Sequence, residues 1–127
     1  MCLLDTVTEW TEQQIHCTSS SHLDIHNPLR AEGRLGIACG IEYAAQAMAV
    51  HGALLAVGPQ PKRGYLVSVR SVTLAADRLD TVPGPLEIVA ERLSGDSTTV
   101  LYQFHVRSAD QLLLSGRAAV VLDSEKL

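Results

Sequence analysis

No run of lysine or arginine occurs anywhere in the 127 residues, and the aromatic side chains are one Phe, one Trp and three Tyr. Without a basic stripe to follow phosphates or aromatic platforms for bases, and with a net charge of −4, the chain is not built to bind nucleic acid. Cysteine is sparse as well. Cys2, Cys17 and Cys39 are an odd, widely spaced set with no Cys-x-x-Cys unit. That argues against a disulfide framework, a zinc knuckle or a redox pair, and fits reduced thiols in the cytoplasm. Cys39, between Ala38 and Gly40, reads as a small core hydrophobe rather than a nucleophile. Met1-Cys2-Leu3-Leu4-Asp5 has no basic n-region and meets an acid at once, so it does not read as a signal peptide. There is no Gly-x-Ser-x-Gly elbow and no glycine-rich phosphate loop after a strand, so serine hydrolases and P-loop or Rossmann enzymes lack their supporting signals.

What the chain does have is 46% apolar residues and 19% charged residues of both signs, a globular composition of a length that can bury one core. A single domain over residues 1–127 is expected. One stretch, Gly36 to Val57, is rich in alanine and free of proline, and predicts a helix of roughly 30 Å at about 1.5 Å per residue. Gly58-Pro59-Gln60-Pro61 supplies its stop, since proline cannot continue the ladder. Because nearly every face of this helix is apolar, it must be wrapped by other elements or lie in a membrane. Glu42, Gln46 and His51 within it, and the absence of a basic flank, speak against a membrane span.

Elsewhere the period is that of strands. Tyr65–Leu74, Leu86–Leu93, Thr98–Arg107 and Leu112–Leu122 alternate apolar and polar residues between turn signals, and are expected to form a four-strand meander. Leu3–Trp10 and Gln14–Ser19 read as two shorter strands, and Asn27–Arg34 as a loop. An antiparallel sheet with one apolar face, together with one apolar helix, has an economical solution in which the sheet curls around the helix. That α+β arrangement is the hot-dog fold.

Glu42 needs explaining, because a carboxylate is costly among Ala, Ile, Met and Gly unless paired or protonated. Either it lies solvated at the helix mouth, favoured by the dipole, or it lines a substrate cavity as a general acid. Gln46, one turn later on the same face, either orients that carboxyl or is an ordinary buried amide bonded to backbone. In His22-Leu23-Asp24-Ile25-His26, an extended backbone would point His22, Asp24 and His26 to one side. This would suit a metal site, a solvated strand face or a single catalytic histidine. His16, His51 and His105 are isolated and read as satisfied structural histidines.

Gly40-Ile41-Glu42-Tyr43-Ala44-Ala45-Gln46-Ala47 resembles the central-helix motif of the hot-dog β-hydroxyacyl-(acyl carrier protein) dehydratases, specifically the divergent group of aryl polyene and related fatty-acid-like gene clusters. Leu3-Leu4-Asp5-Thr6-Val7, Arg63 to Arg70, Asp77-Arg78-Leu79 and Pro85-Leu86-Glu87-Ile88 extend the resemblance along nearly the whole chain. The resemblance implies that Glu42 protonates the departing β-hydroxyl and that a histidine in the preceding loop removes the α-proton. The family's main branch carries that histidine in a Gly-His-Phe-Pro-Gly loop, where this chain has Arg30-Ala31-Glu32-Gly33-Arg34-Leu35-Gly36. His26 is then the candidate base, with His22 nearby. Backbone amides around Gly36 and Ile37 would polarise the thioester carbonyl, and Gln46 and His22 would contact substrate.

The implied reaction is dehydration of β-hydroxyacyl thioesters to trans-2-enoyl thioesters, on acyl carrier protein or coenzyme A, with no metal or redox cofactor. The implied assembly is a homodimer or higher oligomer, or a hetero-complex with another hot-dog protein, whose interface completes the pocket. An acyl thioesterase of the same fold and a non-catalytic acyl-binding or partner subunit are the alternatives.

Overall fold

The computed structural model describes residues 2–55, 63–96 and 98–123. Strands β1 (Thr6–Trp10) and β2 (Gln14–Ser19) are followed by short 3-10 turns at Ser21–Leu23 and Ile37–Cys39, the latter running into helix α1 (Gly40–Leu55). Strands β3 (Arg63–Leu74), β4 (Leu86–Gly95), β5 (Thr99–Ser108) and β6 (Gln111–Asp123) complete an antiparallel six-stranded sheet of order β1-β2-β4-β5-β6-β3. This is the hot-dog arrangement expected from the sequence. The expected stop at Gly58-Pro59-Gln60-Pro61 lies outside the described residues. Among the described residues, no helix is long and apolar enough to cross a membrane.

The alternation that marks the strands also selects their buried face. Leu86, Ile88 and Ala90 of β4 point inward while Glu87 and Glu91 point out, and Tyr102, Phe104 and Val106 of β5 and Ile15 and Cys17 of β2 join the same interior. Against it lie Tyr43, Ala44, Ala47, Met48 and His51 of α1. Gly40 is where helix and sheet come closest. A Cβ built there would stand 2.5 Å from Leu114 Cδ2, so only glycine fits.

Three expectations are corrected. The helix proper begins at Gly40 rather than Gly36, because residues 37–39 form the tighter 3-10 turn. The last four strands are not a continuous meander: β4, β5 and β6 are, but β3 lies on the far side of β6. The β3–β4 connection crosses the sheet instead of turning tightly, and it bonds to the segment before the helix. Ile37 N–H donates to Asp77 O at 3.0 Å and Leu79 N–H to Leu35 O at 2.8 Å. Finally, α1 is covered on one face only. Glu42, Ala49, Gly52, Ala53 and Leu54 are exposed, because the sheet of one chain reaches only the opposite side.

Candidate functional site

Glu42 is the sole acid on α1 and sits in its first turn. With Ala45, Ala49 and Ala53 it follows the i, i+3, i+7, i+11 spacing of one helical stripe, the stripe that the sheet leaves open. Its carboxylate makes no hydrogen bond or ion pair among the described residues. Gln46 Oε1 accepts the Leu3 N–H at 2.8 Å and so ties the N-terminal segment to the helix.

Next to Glu42, Tyr43 points the opposite way and is fully buried. Its hydroxyl lies 2.8 Å from Ser21 Oγ and accepts from Asn27 Nδ2 at 3.1 Å. Ser21 Oγ also donates to Leu3 O at 2.7 Å. Ser21 Oγ also lies 2.9 Å from Ser19 Oγ, whose hydroxyl donates to the same Leu3 carbonyl. This buried network joins the helix, the pre-helix loop, β2 and the N-terminal segment. Burial is the chief reason the Tyr43 phenol is pushed up from its ordinary value.

The loop that carries the histidines is not extended, which corrects the one-sided reading of His22, Asp24 and His26. The 3-10 turn at Ser21–Leu23 rotates His22 inward, and Asn27 N–H closes a further turn on Asp24 O at 3.0 Å. His22 is completely buried; Nε2 donates to Val82 O at 3.0 Å and Nδ1 has no partner. Burial, more than any charge, lowers its pKa and keeps it neutral. His26 is exposed, its backbone N–H held by Asp24 Oδ1 at 2.8 Å. Its imidazole, like the Glu42 carboxylate, has no partner among the described residues. Among those residues no group of three His, Cys, Asp or Glu could hold a metal ion.

The rest of the loop is framed by charges that the sequence reading left unused. Ala31 and Arg34 exchange both backbone hydrogen bonds around Glu32 and Gly33, which have φ of 52° and 75°, so a primed two-residue turn closes here. The Arg30 guanidinium donates from Nε to Asp24 O, from Nη1 to Gly33 O and from Nη2 to His22 O, each at 2.9 Å. Asp80 accepts from Leu35 N–H at 3.1 Å and pairs with Arg78. Chiefly through the Arg78 guanidinium, its carboxyl is held well below the usual carboxylate range. The signal for this frame was the Arg78-Leu79-Asp80 spacing, which places both charges on one side of an extended segment.

At the helix start the amides divide. Ile37 N–H, expected to be available to a ligand, is taken by Asp77 O, a correction imposed by the crossing connection. Gly36 and Ala38 N–H donate to nothing among the described residues, and both residues are exposed. No side chain caps this end. Of the structural histidines, His51 matches expectation: Nε2 donates to Thr11 O at 2.8 Å and Nδ1 accepts from Tyr102 at 2.7 Å. His16 does not, because its Nε2 is buried without a partner. A concavity of about 410 Å³ between His16, Glu87, Val89, Glu91, Gln103 and His105 lies on the outer sheet face, away from Glu42.

A family model described as ApeP-like, ApeP dehydratase, matches residues 1–126. No curated protein matches the sequence. Among solved structures, the dehydratase heterocomplex ApeI:P from Xenorhabdus doucetiae is similar with a TM-score of 0.83 and 21% identity, over 98% of this chain and 85% of that one. The thioesterase HI1161 from Haemophilus influenzae gives 0.71 and 14%, over 93% and 77%. A mutant of the thioesterase SAV0944 from Staphylococcus aureus gives 0.71 and 13%, over 93% and 92%. At these identities the likeness to solved structures is one of fold.

Proposed function

The chain belongs to the ApeP-like dehydratase family, and from that premise we propose that it removes water from β-hydroxyacyl thioesters, carried on acyl carrier protein or coenzyme A, to give trans-2-enoyl thioesters. The observation that supports this most directly is the position of Glu42: a lone carboxylate on an open stripe of small residues, at the start of the helix. A histidine, His26, takes the α-proton as the electron pair moves toward the thioester carbonyl. Glu42 gives its proton to the β-oxygen, and the C–O bond breaks to release water. The carboxylate and imidazolium left behind are reset by return of the proton. The free Gly36 amide, with Ala38 beside it in place of Ile37, suits a carbonyl oxygen that gathers charge.

To act as an acid near neutral pH, a carboxyl has to be kept from water, and one chain leaves Glu42 exposed. The reading therefore includes a second hot-dog chain laid over the open helix face, either a copy or a related subunit. A neighbour of the same fold, solved as a dehydratase heterocomplex, supports the latter.

The test is enoyl-thioester absorbance from a β-hydroxyacyl thioester. Wild type should produce it, alone or after addition of a hot-dog partner, and Glu42→Gln should reduce it by a factor of about 10² to 10⁴. Equal rates would end the assignment. A second reading, acyl thioester hydrolysis with Glu42 activating water, is supported by the solved thioesterases of the same fold; it would release free thiol instead of enoyl product.

A further inference from the structure

The segment between β2 and α1 has little regular structure of its own, yet its backbone is fixed at several points by one side chain. Arg30 is largely buried, with 13% of its side chain exposed, and its guanidinium grips the carbonyls of His22, Asp24 and Gly33. The first two stand just before His26 and the third lies in the turn beyond it. Behind the guanidinium, Asp80 Oδ2 lies 3.9 Å from Nη1, and the same carboxylate holds Leu35 N–H immediately before Gly36. None of the carbonyls that Arg30 binds belongs to a strand of the sheet. The clamp therefore orders the loop and contributes nothing to strand pairing.

We propose that Arg30, backed by Asp80, is a positioning residue that holds residues 22–36 in the conformation presenting His26 on one side and the Gly36 amide on the other. The planar fork suits the task because it sends donors in three fixed directions. A lysine carries the same charge, but its three donors radiate from one nitrogen on a flexible stem and do not reproduce contacts made by three separate nitrogens. The catalytic consequence rests on the dehydratase reading above; the ordering of the loop does not.

The experiment compares wild type, Arg30→Lys, Asp80→Asn and His26→Ala in the assembly as purified, by amide hydrogen exchange and by steady-state kinetics. The amides of Asn27, Arg30 and Arg34 close the loop's own turns. In Arg30→Lys they should exchange about tenfold faster or more, while those of β4 and β5 keep their wild-type rates. Asp80→Asn, which leaves the three carbonyl bonds in place, should speed exchange at Leu35 most, since Asp80 holds that amide. With turnover, Arg30→Lys should lower kcat about tenfold with little change in KM. Unchanged loop exchange overturns the proposal, as does equal loosening of loop and sheet, or a loosened loop with wild-type kcat. If Arg30→Lys does not fold, Arg30→Gln takes its place and is read at the same amides and by kcat. Full activity in His26→Ala refutes the dehydratase assignment of that residue, and the exchange data still decide the clamp.

Discussion

Replacing Tyr43 by Phe removes one oxygen and little else, which makes the buried hydrogen-bond network testable. The ring stays in the core. What is lost is the acceptor for Asn27 Nδ2 and the partner of Ser21 Oγ, at 3.1 and 2.8 Å. Asn27 is buried with 6% exposure, so water cannot readily satisfy the orphaned N–H. A buried unsatisfied donor costs about 1–3 kcal/mol, and we expect Tyr43→Phe to lose about 2 kcal/mol. With an unfolding entropy of about 2.1 cal/mol/K per residue, that corresponds to a fall in Tm of roughly 7 °C, read at fixed protein concentration. The cycle with Asn27→Ala isolates the bond: if the two groups act together, the double variant should cost less than the sum by about 1 kcal/mol or more. A loss below about 0.5 kcal/mol, or strict additivity, would refute a stabilising Asn27–Tyr43 bond.

Gly40→Ala brings a methyl within 2.5 Å of Leu114 Cδ2, in a wall where Leu114 is fully buried. Overpacking costs about 1–3 kcal/mol and exceeds alanine's advantage, which is below about 1 kcal/mol at this first helical position, so denaturant titration should show a net loss that Leu114→Val partly restores. Alkaline pH should destabilise the fold, because burial pushes the Cys17 thiol up to about 11 and Tyr102 up to about 12. In each case the folded pKa lies above the unfolded one, so the stabilisation is present below about pH 9 to 10 and fades as pH rises through the folded values. At about 1.4 kcal/mol per pKa unit the Cys17 share is about 3 kcal/mol, of which about 2 kcal/mol is lost between pH 9 and 11, and Cys17→Ala should flatten the decline there by that amount.

Strands β2, β4, β5 and β6 were legible because each buries one face and alternates: β2 runs from Gln14 to Ser19, as its pattern says, and β4 to β6 begin and end within a few residues of theirs. The pairing of β3 was not. Its alternation states that one face is buried but not which neighbour it meets, and Pro83-Gly84-Pro85 marks a turn without revealing that the preceding segment has already bonded to residues 35–37. His22 misled for a related reason. A period of two was assumed through a stretch where the chain turns at Ser21, and the rotation takes its ring into the core.

The helix carries the more consequential lesson. A sequence apolar on every side states that every side meets something dry, and says nothing of whose atoms supply it. Here the sheet covers Tyr43, Ala44, Ala47, Met48 and His51, and leaves Ala49, Gly52, Ala53 and the carboxylate of Glu42 open. Alanine and glycine on that open stripe let another backbone or a narrow acyl chain approach closely, which larger side chains would prevent. The chemistry asked of Glu42 has the same requirement as the apolar stripe around it, because a proton donor near neutral pH and a row of bare methyl groups are both served by exclusion of water. On the proposed reading, the partner that buries the stripe is the partner that equips the acid, and assembly and activity should rise together as protein concentration or a second subunit is increased.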